Sequence, residues 1–478
     1  MAFATTDLIP ILPELVTLVT ACTILLVDLF LKEEHKGVNH TLAILGLLAA
    51  IGATWVVGGG ERQVVFDGSF VRDGMSDVLI GFTLLITLLT FIYSREYLQS
   101  RGLLCGEYYA LVLFAVLGML VMISANSFLT VYLGLELLAL SLYALVAFDR
   151  DSRSGAEAAM KYFVLGALGS GMLLYGISMI YGATGSIDLA TVAKVVAAQG
   201  MGNKVLVFGL AFLVVGIGFK FGAVPFHMWV PDVYQGAPMP VVAFLGSVPK
   251  MAAFALAMRL LVDGLGPLHH DWQGMLVILA VLSMGLGNLV AVAQSNIKRM
   301  LAYSTISHVG FLFLGVLAGT AHGYSVAMFY AVVYALMAAG TFGLLSLLSG
   351  DGVEAENLED LKGLNERDPW YAAIMAILMF SMAGVPPTVG FMAKLMVLEA
   401  VVRIDLVWVA LVAVFFSIIG AFYYIRVVKY MYFDKPVTEV PVIISGGARV
   451  AISVNGLAVL LLGLFPAALL ALCQAAFP

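Results

Sequence analysis

Apolar runs of roughly helix-spanning length follow one another along the chain, separated by short polar breaks. A helix that crosses a bilayer needs about 20 mostly apolar residues. That criterion picks out fourteen runs, near 8–31, 39–58, 76–94, 107–124, 127–148, 157–182, 203–230, 238–262, 273–293, 300–319, 323–349, 370–400, 406–431 and 450–472. Residues 273–297 and 323–350 contain no Asp, Glu, Lys or Arg at all. The pattern predicts an all-α, polytopic membrane protein with about 14 transmembrane helices.

Composition agrees with the pattern. Of 478 residues, 62% are hydrophobic and 11% charged, where a soluble domain carries about 25% charged residues. The mean hydropathy of +1.03 excludes an ordinary water-soluble globule. Lys and Arg are few and dispersed, so no basic patch points to nucleic acid. The three cysteines, Cys22, Cys105 and Cys473, lie far apart with no C-x-x-C pair, which argues against an iron–sulfur or zinc site. Residues Met1–Pro13 lack the positive region of a signal peptide and carry Asp7. The first run is therefore expected to be a retained helix.

Orientation follows from the loop charges, because Lys and Arg are enriched on the cytoplasmic side. With both ends outside, the inner loops hold Lys32, Lys36, Arg95, Arg101, Arg150, Arg153, Lys298, Arg299, Lys362, Arg367, Arg426, Lys429, Lys435 and Arg449. The outer loops hold Arg62, Arg72, Lys194, Lys204 and Arg403, with Arg259 close by. Both termini are thus expected on the periplasmic side, given an even helix count.

The fourth to eighth runs and the ninth to thirteenth form two blocks of five. An odd number of spans inverts the second block relative to the first, the arrangement of inverted-repeat transporters. Matching interruptions support the repeat. The seventh run carries Lys220 followed by Pro225 and Pro231, and the twelfth carries Pro386 and Pro387 followed by Lys394. Proline removes a backbone donor and clashes with the preceding turn. Paired broken helices in corresponding positions point to an ion site. The expected organisation is an N-terminal three-helix segment at 1–106, a first repeat at 107–264, an inverted second repeat at 273–433, and a last helix within 434–478.

Four ionisable residues stand alone in long apolar runs: Glu136, Lys220, Lys250 and Lys394. Glu136 lies about 13 Å from Ser127 at 1.5 Å per residue. A charge at bilayer depth costs roughly 3 kcal/mol or more, so such residues are usually functional and partnered. Snorkelling to the interface is the bland alternative for the lysines, and the short stem of Glu136 allows little of it. Lys161 follows Glu157 by four residues near a helix end, and spacing alone leaves it open between interfacial anchor and functional group. His227 follows Lys220 by seven residues, which is the same helical face unless the break at Pro225 shifts the phase. His308 is buried in the tenth run, where a satisfied hydrogen-bonding histidine is the ordinary reading and proton transfer the functional one.

Burial disfavours the charged form of a lysine and a nearby carboxylate favours it, so such a pair can load and release a proton as its geometry changes. Histidine suits a relay between lysines. Glycines at 216 and 218, and at 166, 169 and 171, lie inside apolar helices and are read as packing positions rather than a nucleotide loop. His308 and His322, fourteen apart, make a poor haem pair because His322 falls at a loop. No site for NADH, flavin or metal is found.

The stretch Lys220-Phe-Gly-Ala-Val-Pro225-Phe-His227-Met-Trp229-Val-Pro231-Asp232-Val-Tyr234-Gln-Gly236-Ala-Pro238 resembles the signature of the antiporter-like subunits of respiratory complex I, the proton-pumping NADH:quinone oxidoreductase. These are similar in turn to Mrp-type sodium/proton antiporter subunits. Gln294-Ser-Asn-Ile-Lys298-Arg299-Met-Leu-Ala-Tyr303-Ser304, Ser307-His308-Val-Gly310 and Gly384-Val-Pro386-Pro387-Thr-Val-Gly390-Phe391-Met-Ala-Lys394 agree. The likeness covers roughly residues 105–430. Within the family, Asp232 to Pro238, Ser247-Val-Pro249-Lys250 and a lysine at 394 resemble the N-type members; M-type members have glutamate there. The chain also reaches Pro478 without the long lateral helix of the largest member.

The resemblance implies that Glu136 pairs with Lys220 and that Lys161 tunes the pair. It implies that Lys250 is a central lysine with His227 relaying, and that Lys394 lies toward the periplasm. It implies a proton-translocating role in a bacterial inner membrane beside other membrane-arm subunits, including neighbouring antiporter-like ones. No cofactor is expected in this chain, with flavin and iron–sulfur clusters in other subunits. An Mrp-type cation/proton antiporter subunit is the alternative, and a structural subunit without transport a third reading.

Overall fold

The computed structural model describes residues 5–350, 354–437 and 444–477. Each of the fourteen apolar runs carries helix. The first six are α1 (Leu12–Asp28), α2 (Gly37–Val57), α3 (Gly74–Ser100), α4 (Gly106–Ile123), α5 (Phe128–Val146) and α6 (Arg153–Thr184). A short helix the hydropathy scan passed over, α7 (Leu189–Gln199), follows, with Leu189, Val192 and Val196 buried on one face. The seventh run is split into α8 (Lys204–Phe221) and α9 (Trp229–Gly236). The eighth is α10 (Met239–Leu245) and α11 (Pro249–Ala257), which continues into a wide π-turn at Met258–Gly264. Then come α12 (His269–Val292), α13 (Ile297–Leu317), α14 (Ala321–Leu348) and the single turn α15 (Leu364–Arg367). The twelfth run is split into α16 (Pro369–Ala383) and α17 (Val389–Val402), and α18 (Val407–Phe433), α19 (Gly446–Leu464) and α20 (Ala467–Ala475) complete the chain.

Twelve helices among the described residues are long and apolar enough to cross a membrane. Two expected spans fall short as continuous helices: α1 has 17 residues, and the twelfth run is divided into 15 and 14. Among the described residues, the one sheet is a hairpin in which β1 (Gln63–Val65) pairs antiparallel with β2 (Phe70–Arg72).

Both central breaks have the same local cause. α8 ends on Gly222 at φ 75° and α16 on Gly384 at φ 86°, the left-handed conformation in which glycine escapes a Cβ clash. Prolines beyond each glycine prevent the helix from resuming at once. Burial then sorts the helices. The central stretch of α14 is wholly buried, whereas only a third is buried in α2, α18 and α19. The broken helices pack around α13 and α14 at the centre.

Glycines bring neighbouring backbones into contact, as small residues do in membrane helices. A Cβ on Gly118 of α4 would sit 2.5 Å from Leu138 N and 2.7 Å from Gly134 O of α5, and Gly134 meets Gly118 O in return. α12 and α13 use the same reciprocal device, with Gly287 against Ser307 N and Tyr303 O and Gly310 against Ala280 O and Met284 N. Gly166, Gly169 and Gly216 also face close neighbours, whereas a Cβ on Gly171 would meet nothing of this chain within 4 Å.

The loops form two sets. On the lysine- and arginine-rich face, Lys298 Nζ reaches Glu356 at 2.7 Å, Arg101 reaches Glu354 at 3.3 Å and Arg299 reaches Asp232 at 2.7 Å. On the opposite face, Phe70 bridges Ala125 and Ser127 bridges Asp188, and Arg259 holds Asp73 and Asp263 at 2.8 and 2.9 Å. Burial pushes the Asp73 carboxyl up, but the charge and hydrogen bonds of Arg259 outweigh it and hold the group below its usual range. Gly74 packs against Ala476, which puts the end of α20 at this opposite face.

Candidate functional site

A helix that stops inside a membrane leaves its last carbonyls without amide partners, and buried carbonyls require donors. At the end of α8 the Gly222 N–H reaches Phe219 O at 3.0 Å and the Ala223 N–H reaches Gly218 O at 2.8 Å, and side chains add further donors. The Trp229 indole donates to Phe219 O at 3.1 Å, and Lys250 Nζ donates to Phe221 O at 2.9 Å. Lys250 is 2% exposed, and its amine also lies 5.5 Å from the Trp229 ring centre. A cation at a helix C-terminus meets the negative end of the helix dipole. Lys220, in the last turn of α8, donates to Ser170 Oγ of α6 at 2.8 Å. Lys220, Lys250, Trp229 and Tyr162 line a shared cavity of about 30 Å³, room for a water or two.

Glu136 lies on α5 beside this cavity, whose lining includes its neighbours Leu135, Leu138 and Ala139. It does not form an ion pair with Lys220, whose amine is held by Ser170, and Glu136 Oε1 is buried without a hydrogen bond. The carboxylate is still close enough for its charge to act on Lys220. The arrangement is a loose pair, not a locked one.

One residue falls elsewhere than the resemblance implies. The Lys161 side chain is 44% exposed and binds Asp232 at 2.8 Å and Glu157 at 2.9 Å, not the Glu136–Lys220 pair. Its position one turn from Glu157 at the lysine-rich face explains this. His227 sits in the break between α8 and α9, flanked by exposed Met228, and its buried Nδ1 has no hydrogen-bond partner. The break resets the helical phase, so the seven-residue spacing from Lys220 no longer places the two on one face.

At the second break, Lys394 of α17 donates to Ala383 O, the last carbonyl of α16, at 2.9 Å and to Ser417 Oγ of α18 at 3.1 Å. Its amine stands 5.0 Å from the Phe311 ring centre. His308 of α13 is 4% exposed and bonded through both nitrogens, Nδ1 to Tyr330 OH at 2.7 Å and Nε2 to Tyr424 OH at 3.1 Å. Tyr424 also bonds Ser304. Tyr334 OH bonds Thr305 at 2.8 Å, and Tyr423 OH bonds Asn288, which donates to Ser307 at 2.8 Å. Lys394 is close enough for its charge to act on His308.

The profile described as "NADH:quinone oxidoreductase/Mrp antiporter, TM" matches residues 125–420. The chain is 58% identical to NADH-quinone oxidoreductase subunit N of Thioalkalivibrio sulfidiphilus over 477 residues, covering 100% of this chain and 99% of that one. The chain belongs to the NADH:quinone oxidoreductase/Mrp antiporter membrane family. A chain of respiratory complex I from Thermus thermophilus superimposes at TM-score 0.84 with 33% identity, covering 97% of this chain and 100% of that one. A chain of the Mrp complex from a Dietzia species superimposes at 0.85 with 20% identity, covering 99% and 97%, a likeness of fold.

As a member of this family, the chain buries Lys250 and His308 and half-buries Lys220 and Lys394, while leaving Lys161 at a face. The hydroxyl partners Ser170, Ser417, Tyr330, Tyr334 and Tyr424 were missed by a scan for charge, because neutral hydroxyls carry none. Their spacing beside the motif lysines and histidine gives no periodic signal either. Among the described residues no group of three or more His, Cys, Asp or Glu is placed to hold a metal ion.

Proposed function

We propose that this chain is the N-type, proton-translocating membrane-arm subunit of a bacterial inner-membrane NADH–quinone oxidoreductase, and that Glu136, Lys220, Lys250, His308 and Lys394 carry the protons. The observation that carries the reading is the set of partners. All three amines, that of buried Lys250 and those of half-buried Lys220 and Lys394, rest on neutral oxygens: Phe221 O, Ser170 Oγ, and Ala383 O with Ser417 Oγ. A buried lysine locked to a carboxylate would strand a charge on losing its proton. One held by a neutral oxygen leaves no orphaned charge, so it can cycle. The nearby Glu136 charge biases Lys220 toward loading, and a change in that distance reverses the bias.

The tyrosine-flanked His308 links the two broken helices in this reading. Lys161, with Asp232 and Arg299, belongs to the lysine-rich entrance, and His227 flanks the first break. The matching glycine pairs of α4–α5 and α12–α13 support two inverted five-helix repeats, 107–264 and 273–433, after an N-terminal segment 1–106 and before a last helix within 434–478. The lysine-rich face is placed in the cytoplasm and both termini in the periplasm. The chain binds no cofactor of its own; hydride and electron chemistry belong to partner subunits.

An affinity tag on this chain tests the assignment. Co-purification of a flavin- and iron–sulfur-containing arm, together with other membrane-arm subunits, is expected. Recovery of a flavin-free assembly whose vesicles exchange sodium for protons would instead establish the Mrp-type reading.

A further inference from the structure

The N-terminal segment holds a buried carboxylate that the proton path above does not use. Glu14, in the first turn of α1, is 5% exposed. Both its carboxylate oxygens are buried without hydrogen bonds, as are both terminal guanidinium nitrogens of Arg72 and the hydroxyl of Ser124. Arg72 and Ser124 are also the groups that reach Glu14, with Asp77 behind them. β2 brings them together: Val71 N donates to Ser124 O at 2.8 Å, which places Arg72 beside the end of α4.

Charge counting shows what this cluster can do. Arg72 is permanently charged, and its Nε is already bound to Asp77. Glu14 adds a second carboxylate to that single cation. Among the described residues Arg72 is the cation that acts on Glu14, while Arg259 is held by Asp73 and Asp263 and Arg62 is exposed and bonded to Asn126. From α2 the polar group nearest this end, Thr54, is spent on Ala50 O; from α1 itself Thr17 is spent on Pro13 O; Ser76 of α3 caps with Asp73. An uncompensated buried charge is strongly unfavourable, so the cluster reaches neutrality by binding one proton.

Ser124 follows Ile123, whose carbonyl accepts from Arg259 Nε at 3.1 Å, so the cluster adjoins the Arg259–Asp73 anchor of the face opposite the lysine-rich loops.

We propose that Glu14 is a further proton-carrying residue, an acid that exchanges its proton at the face opposite the lysine-rich loops; this rests on the proton-translocating reading above. In each cycle an O–H bond forms on the Glu14 carboxylate as the donor's bond to that proton breaks. The neutral acid then passes the proton to water at this face, and no electron moves.

Infrared difference spectra and proton translocation per quinone reduced, both on the assembled complex in vesicles, test this with Glu14→Gln and Lys220→Ala. The wild type is expected to show the carbonyl band of a buried protonated carboxyl that Glu14→Gln lacks, together with a loss of translocation in that variant. An unchanged band and unchanged translocation would overturn the role of Glu14. If Lys220→Ala is also silent, the proton-translocating reading fails as well; if it alone loses pumping, only the present inference fails. Should Glu14→Gln not assemble, Glu14→Asp decides: a shifted carboxyl band with pumping retained supports the role, and an unshifted band overturns it.

Discussion

Removing one hydroxyl tests the idea that neutral oxygens hold the proton-carrying lysines. Ser170 is 3% exposed, and its Oγ accepts the hydrogen bond of Lys220 Nζ recorded at 2.8 Å. A hydrogen bond to a charged group contributes about 1.5–3 kcal/mol. Ser170→Ala withdraws that from the protonated lysine and leaves the neutral amine far less affected. Since about 1.4 kcal/mol is tenfold in an equilibrium, the ratio of loaded to unloaded Lys220 falls about tenfold or more. The helix should not suffer, because alanine is a good helix former. Proton translocation per quinone reduced, measured in vesicles with the assembled complex, should therefore drop while assembly stays normal. Ser417→Ala should be milder, because Lys394 keeps Ala383 O as a second acceptor. Equal, negligible effects of both substitutions would refute the reasoning.

Trp229→Phe keeps the ring but removes one of two donors to Phe219 O, which retains the Gly222 N–H at 3.0 Å, so the loss is that of a single hydrogen bond, about 0.5–1.5 kcal/mol; thermal unfolding of the purified complex should fall accordingly. Gly118→Ala drives a methyl into the α5 backbone, and overpacking of about 1–3 kcal/mol should reduce the yield of assembled complex, whereas Gly171→Ala, facing open space, should not. Arg259→Ala strands Asp73 and Asp263, at a cost of about 3–5 kcal/mol for a broken buried pair. Because the folded Asp73 carboxyl is held below its usual 3.8, the anchor contributes stability above that value and loses it only as pH falls lower still; a stability–pH profile in which the Arg259-dependent difference vanished already at neutral pH would contradict this.

How far the sequence reveals this protein depends on the physical signal. Helix positions were legible because lipid demands long apolar runs, and the breaks after Phe221 and Ala383 because glycine and proline are strong punctuation. Lys220, Lys250 and Lys394 stood out since a lone charge in such a run is costly. Amphipathic α7 was invisible to a scan for uniform hydropathy, since only three of its eleven residues are buried. The interruption of the eighth helix between Leu245 and Pro249 and its π-turn leave no mark in hydropathy either. Spacing left the face of His227 open because helical phase does not survive the break that contains it. The hydroxyl network of Tyr330, Tyr334 and Tyr424 stayed hidden because tyrosine counts as apolar until its partner is known.

Proton translocation by complexes carrying Lys220→Ala or Lys161→Ala tests the central claim most directly. Lys220 lies half-buried on the shared cavity, and Lys161 is exposed on Asp232 and Glu157. With assembly and quinone binding intact in both, Lys220→Ala should sharply lower the protons moved per quinone reduced, and Lys161→Ala should lower them much less. Full pumping in the Lys220→Ala complex would contradict the account.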